Sequence, residues 1–584
     1  MKKIILSIIL TSLLLPSSAI TVNAEIHITS STIYVDDDGP ADYNNIQNAI
    51  DNASDGDTVF VYDGYYQEKI VIDKSINLIG EDKDITIINA NRSGNAVVIN
   101  ANGVSVSGFS IVCSSYTSYK DGNGIYITSN NNNIFDNIIE NNLIGIGLSE
   151  SSHHNTVNNN KIKYNYYQGI DIASSVGYNT IVSNQICSND NYGIHISVSP
   201  HNNIIDNKIE DHEIGLRMHY NLENKITNNR FVGGGLEIEG GSLSEWDSHT
   251  IEDNSVNGKH LRYYNGMNNL IVPINAGQII IVNSSNITIQ NQLFSNLNTA
   301  IQIAFSSDIK IKENTILDTY AIGIYIFNTD YVKLLENSIN NAKDYAIYML
   351  YCNNSIISNN EISNSPNYYH VEALLIARSS DCVISNNGFL NCYTGIRLSG
   401  SINSKIYDNS VIESKSRGIE LSRSTRNEVK NNEIRNCMFG INLGWDSSEN
   451  EVFGNTITGN EKGIFLGYAR ANKNIISKNI IKGNDYGIYS IGSDQNNIKI
   501  NIIEENKQGI FLNDSNRNKI IFNDFRYNIE DASFEKSNYN KWKRNYWNQT
   551  RILPKIIYGT SFFCYREINW INLDWRPAKQ PYDL

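Results

Sequence analysis

Positive charge, proline and methionine are all scarce in this chain of 584 residues. Its 47 lysines and arginines are outnumbered by 61 aspartates and glutamates, and the formal net charge is −14. Nucleic acids and anionic membranes bind basic surfaces, so this balance argues against both as partners. No apolar run after residue 24 reaches the length of a bilayer span, and we therefore expect no transmembrane segment in the mature protein.

Cysteine is also sparse, with 7 residues at positions 113, 187, 352, 382, 392, 437 and 564. An odd number leaves at least one thiol unpaired, and the spacings are not those of a metal site. We interpret most of these cysteines as small core residues and predict no disulfide scaffold.

The first 24 residues have the order of charge and hydrophobicity that is typical of a secretory signal peptide. Lys2 and Lys3 precede an apolar run from Ile4 to Leu15, and small residues follow up to Ala24. The apolar run is too short to cross a bilayer. We expect cleavage after Ala24 and a protein that is secreted or located at the cell surface.

One short pattern returns about every 23 residues: glycine or alanine, isoleucine, any residue, then an aliphatic residue. Toward the C-terminal end its glycines lie 22 to 24 residues apart, at Gly395, Gly418, Gly440, Gly463, Gly487 and Gly509. A fixed period of this size indicates one small structural unit stacked many times.

A second pattern, asparagine followed by any residue and an apolar residue, runs in step with the first. Each period therefore holds three short stretches of alternating apolar residues, separated by Asn, Ser, Asp and Gly. The alternation predicts strands, and the separating residues favour turns. Three strands in each coil of about 22–23 residues predict an all-β, right-handed parallel β-helix. We expect stacked aliphatic side chains in its core and ladders of asparagine amides at its turns.

Both ends of the repeat array differ from its middle. Residues 25–110 are expected to hold an N-terminal cap and the first coils, with a short amphipathic helix within 42–53. Repeats fill 111–530, apart from an irregular insertion at 233–283 that we interpret as an enlarged coil with a protruding loop or hairpin. Residues 531–584 hold four of the six tryptophans and are expected to form an aromatic C-terminal cap.

Several segments resemble a known family. The opening Ile33-Tyr34-Val35-Asp36-Asp37-Asp38-Gly39-Pro40, the Gly64-Tyr65-Tyr66-Gln67-Glu68 turn and the repeats resemble the NosD-type family of carbohydrate-binding and sugar-hydrolysis β-helix proteins. So do Asn254-Ser255-Val256-Asn257-Gly258-Lys259 and Ala276-Gly277-Gln278. The resemblance covers nearly all of the mature chain. It implies a pectate-lyase-like fold, an extracytoplasmic location and association with polysaccharide.

The same resemblance raises the question of copper. Imidazole and thioether ligands suit copper, and one stretch contains His153, His154, His195, His201, His212, Met218 and His219. Their spacing matches no closed metal motif, so we assign no metal ligand and leave the cofactor unknown.

Stacking in register turns the variable residue of the Gly-Ile-x-Ile pattern into a column on one outer face. The first patch of this column is charged, and it includes the outward-facing residues two positions after Arg217 and Glu237. It comprises Asp171, His195, Arg217, His219, Glu237 and Glu239. A base, an acid and a cation for a uronate carboxylate are the groups that β-elimination or epimerisation needs. Glu237 and Glu239, about 6.7 Å apart along one strand, also have the spacing of an inverting glycosidase. The alternative is a charge ladder that stabilises neighbouring coils.

The second patch of the column is aromatic and comprises Tyr325, Tyr348, Phe465, Tyr489 and Phe511. Flat rings along a groove suit the faces of sugars, although aromatic residues also favour strands and cover one another across coils.

We therefore predict an exported β-helix protein, expected to be a monomer, that binds polysaccharide or cell-surface glycan. One alternative is a polysaccharide lyase, epimerase or glycosidase, although the Gly-His-Gly and Arg-Ile-Lys motifs of polygalacturonases and the Asp-Pro-His-Glu signature of epimerases are absent. The other is a NosD-like periplasmic, copper-associated accessory protein.

Overall fold

The computed structural model describes residues 30–116, 118, 120–149, 152–173, 176–365, 372–467, 470–563 and 566–582. The expected signal peptide, residues 1–24, and Cys564 lie outside them. The described chain is a right-handed parallel β-helix of about 22 turns, with two short helices at Ile46–Asn52 and Ser244–Asp247. This confirms the predicted fold class. Neither helix of the described residues has the length and apolar character that a membrane span requires.

The coils form two stacks, which we call the N-solenoid (residues 32–256) and the C-solenoid (residues 259–574). The N-solenoid has parallel sheets A, B and C, and the C-solenoid has sheets D, E and F. The first and last strands are Thr32–Val35 and Thr250–Glu252 in sheet A, Gly64–Tyr66 and Ser255–Val256 in sheet B, Asn268–Ile271 and Lys541–Lys543 in sheet E, and Leu293–Leu297 and Tyr546–Trp547 in sheet F.

Sheets C and D contain the Gly-Ile-x-Ile strands and carry on their outer faces the column of variable residues. The strands of sheet C are Ile70–Ile72, Val97–Ile99, Asn123–Ile127, Ile144–Leu148, Gln168–Ala173, Tyr192–Ser197, Ile214–His219 and Leu236–Glu239. The strands of sheet D are Lys259–Asn265, Gln278–Val282, Ile301–Ala304, Ile322–Phe327, Tyr345–Leu350, Glu372–Ala377, Thr394–Ser399, Arg417–Ser422, Phe439–Gly444, Lys462–Gly467, Tyr486–Ile491, Gln508–Asn513, Glu530–Glu535, Lys555–Phe563 and Arg566–Asp574. The last two strands of sheet D form an antiparallel hairpin.

Asparagine ladders hold successive coils in register. The side-chain amide of Asn137 donates to Oδ1 of Asn160 at 3.1 Å, and the amide of Asn160 donates to Oδ1 of Asn184 at 3.1 Å. All three asparagines are at most 2% exposed. Asp136 and Asn159, which precede the first two, have φ angles of 54° and 53°, a left-handed conformation that Asn and Asp tolerate. The ladders therefore satisfy buried polar groups at turns that suit these residues.

The first coil is closed by the helix Ile46–Asn52. Oδ1 of Asn45 accepts a hydrogen bond from the backbone of Asn48, which caps the helix N-terminus. Ile46, Ala49 and Ile50 are buried, as their spacing predicts. The helix packs against the first strands and covers a sheet edge that would otherwise be exposed.

At the other end the coils continue past Asn523. Trp542 lies in register with Ile520, and Trp547 with Phe525, so two tryptophans fill the core of one further coil. Their side chains are 4% and 2% exposed. Beyond them the hairpin of Lys555–Phe563 and Arg566–Asp574 follows. The C-terminal tryptophans are thus divided between the core and an exposed hairpin.

We interpreted residues 233–283 as one enlarged coil, whereas the structure divides them between the two stacks. Strand Ser255–Val256 ends sheet B, and strand Lys259–Asn265 turns back antiparallel to it before it begins sheet D. The parallel rise of the N-solenoid stops at this hairpin, and a second parallel stack starts.

Side chains of the C-solenoid complete the open edge of sheet C. The backbone N–H groups of Leu236 and Ile238 donate to Oε1 of Gln278 and Gln302, at 2.9 and 3.1 Å. Both glutamine amides donate in turn to the carbonyl of Leu236, at 2.7 and 2.6 Å. Because Gln278 and Gln302 belong to sheet D, the face of sheet D covers the end of sheet C. The two solenoids meet at an inside corner.

The cysteines that the structure describes are free thiols. Cys352, Cys382, Cys392 and Cys437 are buried, while Cys113 and Cys187 are partly buried. Burial raises the pKa of Cys352 to about 12 and that of Cys437 to about 11, so these thiols are weak nucleophiles.

Candidate functional site

Sheet C brings all six residues of the predicted charged patch together on its outer face. Asp171 lies in register with His195, His195 with Arg217, and Arg217 with Glu237. His219 lies beside Glu239 in the same two strands. The patch ends at the strand whose edge the C-solenoid covers, so it lies in the corner between the solenoids.

His195 and Arg217 of this patch are already paired with carboxylates. Nδ1 of His195 lies 2.8 Å from Oδ1 of Asp171. Nε of Arg217 lies 3.5 Å from Oε1 of Glu237, and its Nη2 donates to Oε2 of Glu239. The guanidinium also lies over the ring of Tyr192, 5.4 Å from its centre. Arg217 therefore bridges two carboxylates and is not free to neutralise a third.

Burial changes the protonation of the groups nearest the corner. The side chain of Glu237 is 17% exposed. Its burial raises the pKa of its carboxyl, although Arg217 opposes this effect. Burial likewise lowers the pKa of His219 against the influence of Glu239. Both shifts favour the uncharged forms.

The C-solenoid contributes aromatic side chains to the same corner. Tyr325 and Tyr348 lie on the outer face of sheet D, with ring centroids 5.4 Å apart, and Trp246 lies 6.2 Å from Tyr325. Burial raises the pKa of Tyr325, and the neighbouring Tyr348, Glu239 and Glu237 raise it further. The charged patch and the first two aromatic residues are thus one surface, although they lie about 90 residues apart in the sequence.

The remaining predicted aromatic residues lie elsewhere on sheet D. Phe465 is 4% exposed, because Phe439 and Tyr489 cover its ring at centroid distances of 5.0 and 5.7 Å. The prediction that Phe465 contacts a ligand is therefore wrong. Tyr489 and Phe511, 5.2 Å apart, remain partly exposed further along the sheet.

The outer face of sheet D between these aromatic groups is largely buried. Glu420 is 2% exposed and lies 3.5 Å from both Nε of Arg397 and Nε of Arg417. Nη1 of Arg397 also donates to Glu372 at 2.6 Å. Two arginines and two glutamates neutralise one another, which is the cross-strand pairing that stabilises neighbouring strands.

Three residues of the corner were missed in the sequence. Trp246 comes from the short helix Ser244–Asp247, Asn298 donates to Oε2 of Glu237 at 3.5 Å, and Tyr192 lies beneath Arg217. Trp246 and Asn298 lie outside the Gly-Ile-x-Ile pattern, so the column could not locate them. Tyr192 directly precedes the pattern glycine Gly193, and a second column, three positions before the variable residue, would have found it.

Comparison with known protein families identifies the chain. The family described as "Periplasmic copper-binding protein (NosD)" matches residues 50–266 and 264–416, which is more than half of the sequence. The chain belongs to the NosD family. The two NosD matches meet at the strand Lys259–Asn265, where the N-solenoid gives way to the C-solenoid. A family described as "Right handed beta helix region" matches residues 372–525.

Three solved structures resemble this NosD-family chain at low sequence identity. The periplasmic alginate epimerase AlgG has 12% identity, with 58% of this chain and 73% of that chain covered and a TM-score of 0.31. The pectate lyase Pel9A has 12% identity and a TM-score of 0.32, with 52% of this chain and 78% of that chain covered. The hyperthermoactive exopolygalacturonase from Thermotoga maritima has 12% identity and a TM-score of 0.31, with 53% of this chain and 87% of that chain covered. Comparison with curated proteins gave no match.

The residues that the structure describes do not fit a copper site. His153 and His201 contact backbone or carboxylate groups, and Met218 is fully buried in the core. Within this part of the chain, ligand atoms of three or more His, Cys, Asp or Glu residues come within 4.8 Å only at Asp36, Asp37 and Asp38. An all-carboxylate set favours hard cations over copper. We therefore derive no chemistry through copper.

Proposed function

We propose that this NosD-family protein is exported and binds a neutral polysaccharide in the corner between its two solenoids. The observation that carries the proposal is the meeting of Tyr325 and Tyr348 with the carboxylate-rich outer face of sheet C. The fully buried Trp246 packs near Tyr325 and supports its position. Concave sites with aromatic walls and a few fixed polar groups are typical of small-molecule and sugar recognition. A periplasmic family and an acidic chain are consistent with a partner outside the cytoplasm.

The charges of the corner favour a neutral glycan over a uronate. Asp171, Glu237 and Glu239 are acidic, and Arg217, the single guanidinium among the patch residues, is held by two of them. A uronate would add a negative charge next to these carboxylates, which is unfavourable in a partly buried site. Sugar hydroxyls can instead donate hydrogen bonds to carboxylate oxygens, while the sugar ring lies against an aromatic side chain.

Glycan processing is a second candidate, and Glu237 is the observation that favours it. A carboxyl whose pKa is raised by burial is a suitable general acid for cleavage of a glycosidic bond. Arg217 weakens this candidate, because it bridges Glu237 and Glu239 and occupies the space that an attacking water needs.

The test combines binding and product analysis. The wild-type protein is applied to an array of neutral and uronate-containing glycans, and the best neutral oligosaccharide is then titrated by calorimetry. We expect Tyr348→Ala to raise Kd about tenfold or more, and Tyr348→Phe to retain binding because the ring remains. Tyr407→Ala is the matched control, since Tyr407 lies partly exposed on sheet E, away from the corner.

Two results would contradict the proposal: equal binding by the Tyr348→Ala and Tyr407→Ala variants, or a wild-type preference for uronates. Mass analysis of glycans after incubation separates binding from processing. Products that appear with the wild type and disappear with Glu237→Gln would establish processing at this corner, whereas unchanged glycans leave binding as its function.

A further inference from the structure

The outer face of sheet E is strongly basic at the C-terminal end of the C-solenoid. In each of its last three strands the middle residue is buried in the core, and the residues on either side point outward. Lys519 lies in register with Lys541, one coil away, and Lys499 lies in the neighbouring column, two coils from Lys543. Two exposed arginines lie at the adjoining turns. We call this surface the basic face, and its residues are Lys499, Arg517, Lys519, Lys541, Lys543 and Arg544.

The chain itself does not neutralise the basic face. Among the residues that the structure describes, no carboxylate oxygen lies within 4.0 Å of any of its six charged groups. The three strands contain no acidic residue. Like charges directly opposite each other on neighbouring strands, such as Lys519 and Lys541, are unfavourable. A negatively charged partner would relieve this repulsion.

The N-terminal end of the protein carries a cluster of carboxylates. The first three strands of sheet A end at Val35, Val61 and Gly80, and the turns that follow them lie along one edge of the N-solenoid. Lys83 is the single lysine in these turns, and it is paired with Asp136. We call this edge the acidic ridge, and its residues are Asp36, Asp37, Asp38, Asp63, Glu81, Asp82 and Asp84. Within the described parts of the chain, none of these seven carboxylates forms an ion pair.

The basic face and the acidic ridge match in sign and in length. Each extends over three successive coils, which is about 10 Å along the axis at one strand spacing per coil. Complementary charged patches attract each other and fix the register of a complex. A membrane or a nucleic acid is anionic well beyond the basic face, so it would be repelled by the rest of a chain whose net charge is −14. A second copy of the chain offers a bounded acidic surface, and it is therefore the partner that the charges favour.

We infer that copies of this protein associate through their ends, with the acidic ridge of one copy on the basic face of the next. The two surfaces differ, so the contact is heterologous and every pair keeps one unused surface of each kind. Further copies can add to these surfaces, which produces a chain or a closed ring in place of the monomer expected from the sequence. Neither surface includes a residue of the corner, so the inference does not depend on the proposed function.

Sedimentation velocity of the full-length protein tests this association. We expect the mean sedimentation coefficient of the wild type to rise with protein concentration in about 20 mM NaCl. It should stay at the monomer value in about 500 mM NaCl, because salt screens contacts between exposed charges. The double variant Lys519→Glu, Lys541→Glu should raise the dissociation constant at least about tenfold.

The double variant Lys310→Glu, Lys333→Glu is the matched control. These two lysines also lie opposite each other on the outer face of sheet E, but near its first strands and far from the basic face. The control variant makes the same change in charge and should associate as the wild type does.

Reversal of the acidic ridge provides a complementary variant. The side chains of Asp38, Asp63 and Asp84 take no part in the hydrogen bonds described for these turns, so their replacement preserves the turns. The triple variant Asp38→Lys, Asp63→Lys, Asp84→Lys has two basic surfaces and should be monomeric alone. The variant with both lysines of the basic face reversed has two acidic surfaces and should also be monomeric. Mixed in equal amounts, the two variants should associate in alternation, which also shows that both are folded.

Three outcomes would overturn the inference. They are a wild type that stays monomeric at low salt, a Lys519→Glu, Lys541→Glu variant that associates as tightly as its control, and a mixture of the two complementary variants that does not associate. Cosedimentation of a monomeric wild type with phosphatidylglycerol vesicles, lost in the same lysine variant, would assign the basic face to an anionic lipid surface instead.

Discussion

The asparagine ladders allow one sharp test of what holds the coils together, at Asn432 in the C-solenoid. Its Oδ1 accepts from the backbone N–H and the side-chain amide of Asn409, at 3.0 and 2.9 Å. Its own amide donates to the carbonyl of Ile406 and to Oδ1 of Asn455, both at 3.0 Å. The residue is 1% exposed, so water cannot replace these partners.

Asn432→Ala removes all four side-chain hydrogen bonds. At a net of about 1 kcal/mol for each buried bond, the expected loss of stability is about 4 kcal/mol. Stability in a repeat array is a sum of nearest-neighbour terms, so this loss should stay local. Hydrogen exchange followed by mass spectrometry should therefore show lost protection in residues 405–458 and unchanged protection in the N-solenoid.

Asn431→Gly is the control for Asn432→Ala. Asn431 is exposed and has a φ of 53°, a conformation that glycine adopts without strain. We expect this variant to exchange like the wild type. If Asn432→Ala loses no more protection than Asn431→Gly, or if protection falls equally along the whole chain, the ladder does not hold neighbouring coils together as described.

Two further predictions concern single residues. Burial lowers the pKa of His212 and of His249 from the usual value near 6.5. As the pH drops below about 6.5, these histidines therefore take up protons in the unfolded chain before they do so in the folded protein. The free energy of unfolding should then fall by up to about 1.4 kcal/mol per pH unit for each histidine. His212→Asn, which restores the asparagine of the ladder, should reduce that slope in urea unfolding between pH 7 and 5, while His249 and His219, whose pKa values are also lowered by burial, still contribute to it. An unchanged slope would contradict this. Gln302→Ala leaves the backbone N–H of Ile238 without its acceptor and should lower stability by about 1–3 kcal/mol. Amide hydrogens of residues 236–239 should exchange faster as a result. Gln290→Ala is the control, and its exchange should not differ from that of the wild type.

The repeat made the coil, the register and the ladders predictable from the sequence. Each coil contacts its neighbours, so the environment of Ile170 or Asn137 follows from residues one period away. The position of Asp171, His195, Arg217 and Glu237 in one column followed from the same rule. The sequence could predict these features because they depend on local periodicity alone.

The corner depends on contacts that no period describes. Gln278 and Gln302 complete the edge of a strand that lies 42 and 66 residues before them. The hairpin that reverses the chain at Lys259–Asn265 carries no repeat signal, and without it Tyr348 could not be placed beside Glu239.

The asparagine ladder also ends with a different residue: Asp574 accepts from the backbone and amide of Asn545, at 2.8 and 3.1 Å. With no further coil to receive a donated bond, an acceptor-only side chain suits this end.

The joint at residues 233–302 closes the end of one stack with the side of the other. The open edge of sheet C is covered by the outer face of sheet D, so sheet C needs no separate cap where the stacks meet. Coils inserted or deleted elsewhere would lengthen or shorten one arm and leave the side chains of the corner unchanged. Arm length can therefore vary by whole coils while the geometry of the corner is kept.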